Sequence, residues 1–500
     1  MSKRAVPSSE RSPSGATKPS AHAQSGRDAS FDSSGSSGSS RPPSSAPPAQ
    51  RRIRSLLPWF ALLAFLIVPP FVWPQSWLLA YLAQSATMIV FALSYNLLLG
   101  ETGLLSFGHA AYAGLGALIA AHVFNATGMP LVLLPLVGGI GGALCGVLLG
   151  FIATRRAGTA FAMITLGLGE LVVAAAWTLP GWFGGEAGVA IDRASGPSLA
   201  GWSFGPAREA YALIALWCVL ASVAMFALSR TPLLRLANAV RDNPARAAAI
   251  GCYPPRIRYG VVVLSAFFAG IAGTLGLVNI ELVSTESVGM MRSGAVLIAT
   301  VIGGTAAFFG PVAGAIVLTF FSVAIASVTR AWLFYLGLFF VVVVIAAPDG
   351  LAGFGARQAA RFAALGWRRC RSAYLWSVAA GLLWLAVIVP GVQWAYAAQF
   401  GVDEGTVFSA MLSAGTGAMV GTTIDPQAGD VVAASSSASA DVAASATSSL
   451  LSTLTATPLR LALLLGALAL LAALTTCRAM HAHARLAAHA SAAATTGAIR

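Results

Sequence analysis

Apolar residues in this chain come in long blocks rather than at the spacing of half-buried strands or surface helices. The blocks lie at roughly 56–72, 77–99, 104–124, 130–152, 159–178, 209–228, 259–279, 293–327 and 331–347. Most are near the ~20 residues that an α-helix needs to cross a hydrocarbon layer about 30 Å thick. Within lipid each backbone polar group must be paired inside the protein, so such blocks predict helices. The 293–327 block is too long for one pass and is cut by Gly303-Gly304 and Gly310-Pro311. It predicts two half-passes, re-entrant or barely spanning. Two later blocks, 374–390 and 459–476, flank a Ser/Ala/Thr-rich stretch at 395–457 that has no Lys or Arg. The expected fold is an all-α polytopic membrane protein. It has about eight core transmembrane helices, a broken or re-entrant helix pair and two further C-terminal transmembrane helices.

The same pattern divides the chain. Residues 1–55 are rich in Ser and Pro and hold no apolar block. They bury too little surface to offset chain entropy and are expected to be a disordered cytoplasmic tail. Arg51, Arg52 and Arg54 stand directly before the first block, far from residue 1. A cleaved signal peptide would carry its basic and apolar regions at the start, so none is expected. Residues 56–353 form the main membrane domain, 354–373 a basic cytoplasmic segment, and 374–500 an extension with a low-complexity periplasmic loop.

Charge placement checks the helix count. Counting passes from a cytoplasmic tail puts Arg155-Arg156, the six Arg of 229–258 and the Arg-rich 354–372 on one side. That is the asymmetry expected of cytoplasmic loops, and it places the N-terminus in the cytoplasm of a multi-pass membrane protein.

Composition then removes whole classes. Hydrophobic residues are 57% of the chain, charged residues 9%, and mean hydropathy is +0.78. Soluble domains carry about 25% charged residues, so several of them could not be covered with a solvated surface. The net charge of +13 would suggest nucleic acid in a soluble chain. Here it falls mainly in the predicted cytoplasmic segments, so it reports orientation and contact with membrane lipid, and no nucleic acid is expected. Of the 30 basic residues only Lys3 and Lys18 are Lys, and neither completes a G-x-x-x-x-G-K-[ST] phosphate loop. No cofactor is expected on this chain, and any ATP would be held by partner subunits. The five Cys are scattered without metal-ligand spacing, so neither a metal site nor a disulfide framework is expected.

Four features carry candidate chemistry. The 229–258 loop contains Arg241, Asp242, Asn243, Pro244, Ala247, Ala248, Ala249 and Gly251. Asn243-Pro244 supplies an N-cap and first-turn Pro, the Ala run a short helix, and Gly251 its C′ cap. It reads either as a basic loop on anionic lipid or as a helix that docks on a cytoplasmic partner. Glu170 lies inside an apolar block near Thr165, where an acid is a pathway candidate or a structural hydrogen-bond acceptor. Asn96, Ser106 and His109 surround a turn at 100–103 and can satisfy a broken helix or line a cavity. Gly138, Gly142, Gly146 and Gly150 form a small-residue stripe that permits close helix packing, within the chain or against a second subunit.

Five stretches together resemble a known family. The 241–251 region is similar to the cytoplasmic coupling loop of bacterial ABC importer permeases. Leu93–Gly100 followed by Thr102–Ala111 (TGLLSFGHAA), Phe161–Glu170 (FAMITLGLGE), Ile302-Gly303-Gly304 with Gly310–Ala315, and Pro348–Gly353 (PDGLAG) occur in the family's order. They resemble the branched-chain amino acid permeases, M-type subunit, over about 56–353. The family usually has an acidic residue where Ala248 stands, and 1–55 and 354–500 lie outside the resemblance.

The resemblance implies a non-enzymatic permease subunit of an ABC importer. It would pair with a second, H-type permease subunit, two cytoplasmic ATPase subunits and a periplasmic substrate-binding protein. Branched-chain or hydrophobic amino acids are the implied cargo, with urea or short amides as the alternative. From another class, a proton-coupled secondary transporter would use Glu170 and His109, but would not need the docking loop. A non-transporting scaffold would leave the ordered motifs unexplained.

Overall fold

The computed structural model describes residues 48–72, 75–185, 187–197, 202–365, 367–400, 468, 470–476 and 478–483. Contacts divide the chain after Leu57, and the elements from Pro58 onward belong to one unit. The elements are α1 (Pro48–Val72), α2 (Ser76–Thr102), α3 (His109–Thr127), α4 (Leu134–Ala153), α5 (Thr159–Thr178) and α6 (Pro180–Phe183). After a two-residue strand β1 (Val189–Ala190) come α7 (Ala207–Ser229), α8 (Pro232–Asp242), α9 (Pro244–Ala249) and α10 (Pro254–Ile280). The strand β2 (Leu282–Val283) precedes α11 (Met290–Gly303), α12 (Gly310–Thr319), α13 (Trp332–Ala346), α14 (Gly350–Leu365) and α15 (Trp367–Phe400).

Among the described residues seven helices are long and apolar enough to cross a membrane: α2, α3, α4 with its preceding turn, α5, α7, α10 and Ala373–Val392 of α15. The fold is thus all-α and polytopic. The first block is shorter than a full pass: its apolar part, Leu57–Val72, spans roughly 24 Å. α13 and the start of α14 form a pair bent by 46°, and α14 makes much of the basic 354–373 segment helical. The 293–327 block is broken as its glycines require. α11 is 14 residues, roughly 21 Å, and α12 passes into a π-helical turn at Phe320–Ile325. The expected tail at 1–55 is helical from Pro48, the start of α1, and the expected loop at 395–457 is helical to Phe400, the end of α15; residues 1–47, 401–457 and most of the 459–476 helix lie outside the described residues.

The core is a bundle of α2, α3, α4 and α10, with α10 the most buried of the spanning helices. Its closest packing is between backbones. A Cβ built on Gly270 would stand 2.1 Å from the Gly138 carbonyl oxygen, and one on Gly116 2.6 Å from the same atom. A Cβ on Gly142 would stand 2.4 Å from the Ala266 oxygen, and one on Gly146 or Gly150 would meet Ala266 or Val262. The glycine stripe therefore packs inside the chain, where α3, α4 and α10 meet. Lipid gives no hydrophobic drive for helix association, so dispersion gained by this close approach is what holds such helices together.

One expected helix start moves. The block predicted from 104 is helical only from His109. Gly103 ends α2 in the left-handed region at φ 69°, and 104–108 run as non-helical chain buried in the bundle. Such backbone survives at membrane depth only if other groups pair it. The Tyr95 hydroxyl donates to the Ser106 carbonyl at 2.9 Å and accepts from the Ser106 amide at 3.2 Å. Thr165 Oγ1 accepts from the Phe107 amide at 3.2 Å, and Ser293 Oγ from the Ala110 amide at 2.9 Å.

Candidate functional site

At one end of the bundle, α8 and α9 form the middle of the 229–258 loop. α8 buries Leu234, Ala237 and Val240 at helical spacing. α9 forms as its sequence dictates. The Asn243 side chain accepts from the Arg246 amide at 2.9 Å, and Pro244 opens the helix. At its other end the Gly251 amide donates to the Ala248 carbonyl at 3.0 Å and the Cys252 amide to the Ala247 carbonyl at 3.1 Å. Gly251 has φ +89°, so the pair is a Schellman cap that needs a residue tolerant of left-handed backbone. Only Ala247 of the Ala run is buried; Ala248, Ala249 and Ile250 face outward.

This loop is fastened to the end of α2. Arg241 donates from Nη1 to the Gly100 carbonyl, and its methylenes lie against Gly103. Asn238 donates to the Glu101 carboxylate. A cation on the last carbonyls of a helix satisfies acceptors that the helix itself leaves open. The neighbouring Arg241–Asp242 pair, 3.2 Å apart, is exposed on both sides, and such pairs contribute about 0–1 kcal/mol. The part-buried Gly100 contact is the one that joins α8 to the end of α2.

Above that anchor lies a buried polar knot. Three of the sequence candidates, Ser106, His109 and Thr165, meet here; Asn96 sits one turn from the Gly100 anchor, with its side-chain oxygen buried against Gly100. His109 Nε2 is 3.1 Å from Ser94 Oγ. Its ring stacks on Phe91 at 5.5 Å between centroids and is edge-on to Tyr95 and Tyr112. Thr165 holds the Phe107 amide, and a Cβ on Gly108 would stand 2.2 Å from the Thr165 carbonyl oxygen. The knot thus ties α2, the 104–108 segment, α3, α5 and α11 together. Tyr95, Ser94, Ser293, Asn238 and Glu101 were not singled out from sequence; as hydroxyls, an amide and an acid near helix ends they carried no spacing signal.

Glu170 is not in the knot. It is exposed on α5, in a stripe with Met163, Gly167, Ala174 and Trp177 that no described element covers. A second knot joins the later motifs. A Cβ on Gly303 would be 2.0 Å from the Gly310 oxygen, and one on Gly350 (φ +71°) 2.4 Å from the Gly304 amide nitrogen. Motifs separated by some forty residues along the chain are packed backbone to backbone, and Arg357 pairs with Asp349 beside them.

At the opposite end of the bundle β1 pairs antiparallel with β2. Arg193 bonds Glu281 at 3.0 Å, which ties the 179–206 connection to the end of α10.

The sequence matches the family model described as branched-chain amino acid transport system / permease component over residues 77–348. It is 29% identical over 286 residues to the high-affinity branched-chain amino acid transport system permease protein LivM of Escherichia coli (strain K12), covering 53% of this chain and 67% of that protein. To the protein of the same description from Salmonella typhimurium (strain LT2) it is 30% identical over 287 residues, with the same coverage. No solved structure gives a significant match. With the family's motifs gathered into two packed knots and the match spanning the whole membrane core, the chain belongs to the Liv family of branched-chain amino acid ABC permeases, as an M-type member.

Proposed function

We propose that this chain is the M-type subunit of an inner-membrane importer for branched-chain or hydrophobic amino acids. It works with an H-type permease, two ATPase subunits and a periplasmic binding protein, and its N-terminus is cytoplasmic. The observation that carries the reading is the α8–α9 loop, which presents an exposed Ala248–Ile250 surface while Arg241 and Asn238 fasten it to α2. ATP would bind on the partner subunits. Closure of the ATPase pair pushes on α9; α8 passes the displacement to the end of α2, and the 104–108 segment and α3 follow through the polar knot. The helices that line the pathway then open to one side and close to the other.

A cysteine at Ala248, in a chain cleared of its native cysteines, should cross-link to an ATPase subunit in the assembled transporter. A cysteine at Ala247, which is buried, should not. Equal cross-linking at both positions, or none at Ala248, refutes the docking role.

The α5 stripe supports the second permease subunit. A carboxylate at mid-helix against lipid costs about 2.5–3.5 kcal/mol, so the Glu170 face is covered by protein or borders the pathway. Glu170→Gln should lower uptake about tenfold with the amount in the membrane unchanged. If Glu170 merely met lipid, the same change would raise the amount of protein and leave uptake per molecule as before.

A further inference from the structure

Arg292 belongs to neither knot and pairs with no carboxylate or hydrogen-bond acceptor among the described residues. It stands in the first turn of α11, half-buried. Its guanidinium carbon lies 5.8 Å from the Phe91 ring centre, and one of its nitrogens would be 3.1 Å from a Cβ built on Gly276. It lines a cavity with room for about one water molecule, together with Gly114, Gly273, Gly276 and Ser287. The other walls come from the last turns of α10 and from β2. Since α10 starts beside the coupling loop, this cavity is at the far end of the bundle.

An arginine in an apolar bundle is costly without a partner. Its planar fork suits a carboxylate, which it can hold with two parallel bonds. Gly276 stands against the guanidinium, and Leu277, Ile280, Leu282 and Val283 supply apolar lining beside it. Ser287 is the other polar residue of the lining. The Phe91 ring that carries Arg292 also carries His109, so charge at Arg292 is one ring removed from the knot above the coupling loop.

We infer that Arg292 and the cavity it lines form the subsite that receives the α-carboxylate of the amino acid as it enters the permease. This rests on the reading of the cargo as an amino acid. Binding there neutralises Arg292, and the cavity must widen for the rest of the substrate. α11 is a half-pass, and its connection to α10 holds β2 and one 3-10 turn at Thr285–Ser287.

The test uses the complete transporter in phosphatidylcholine nanodiscs and proteoliposomes. At saturating leucine-loaded binding protein, Arg292→Gln should lower leucine turnover about 10- to 100-fold, and Arg292→Lys less. Assembly with the partner subunits should be that of the wild type. In the unmodified transporter without binding protein, leucine should protect Arg292 from phenylglyoxal, read peptide by peptide, and leucinamide should not. Wild-type leucine turnover by Arg292→Gln, or equal protection by leucine and leucinamide, overturns the inference and leaves the proposed function standing. The same holds if neither ligand protects, as when an acid of the second permease subunit or a lipid headgroup holds Arg292. A wild-type transporter that carries neutral amides and not leucine overturns both readings.

Discussion

Arg241→Ala should leave the ATPase subunits hydrolysing ATP while leucine imported per ATP falls at least about tenfold. The reason is local. Arg241 is the last basic residue of α8 and supplies the donor for the Gly100 carbonyl at the end of α2. Its removal leaves a carbonyl at a helix end without its partner and empties the space beside Gly103. The remaining bond from Asn238 to Glu101 can hold α8 near α2 but cannot fix its angle. α9 would still form, because its cap and its Schellman turn do not involve Arg241. ATPase docking survives and transmission fails. Arg241→Lys should recover part of the loss, since an ammonium can reach one carbonyl but not with the fork geometry of a guanidinium. The measurement is leucine uptake and phosphate release on the same proteoliposomes. An unchanged ratio of the two rejects the anchor.

Gly270→Val should largely abolish the folded chain in the membrane. Its first added carbon would stand 2.1 Å from the Gly138 oxygen and 3.1 Å from the Gly142 Cα. Neither obstacle is a flexible side chain that can turn away. α10 and α4 would have to separate along their whole contact, which exceeds the ~1–3 kcal/mol of ordinary overpacking. Gly337→Val, whose added carbon meets nothing within 4 Å, is the control and should leave the amount unchanged. Membrane fractionation with a thermal-shift assay on detergent extracts reads both variants. A Gly270→Val chain as abundant and as stable as the wild type would mean that this contact is not a packing requirement.

Parts of this architecture were legible because they are local. Apolar length alone marks α2, α4, α5, α7 and α10, since a helix in lipid satisfies its backbone without reference to the rest of the chain. The cap residues Asn243, Pro244 and Gly251 mark α9 for the same reason: each acts within a few residues of itself. α8 was not read, because its apolar face of Leu234, Ala237 and Val240 is short and sits in a basic loop that fits a surface segment equally well. The start of α3 was misplaced at 104 because Leu104 and Leu105 are as apolar as any helical residue. What keeps 104–108 out of a helix is the Tyr95 hydroxyl and Thr165, and Thr165 lies 58 residues from the amide it accepts.

Of the candidate residues, sequence marked His109, Ser106, Asn96 and Thr165 as polar groups in apolar blocks, but it could not say that most of them meet. It marked Glu170 by the same rule, and that residue faces away from the knot. The stripe of glycines allowed packing within the chain or against a neighbour, and only the positions of Gly270 and Ala266 on α10 select the first. Arg292 gave no signal beyond that of a basic residue flanking an apolar block. Class, most of the long helices and the short helix α9 thus follow from the sequence, because hydrocarbon thickness and helix caps act on contiguous residues. The partners of each polar group follow only from the tertiary structure, because they are set by which faces of distant helices the glycines allow to touch.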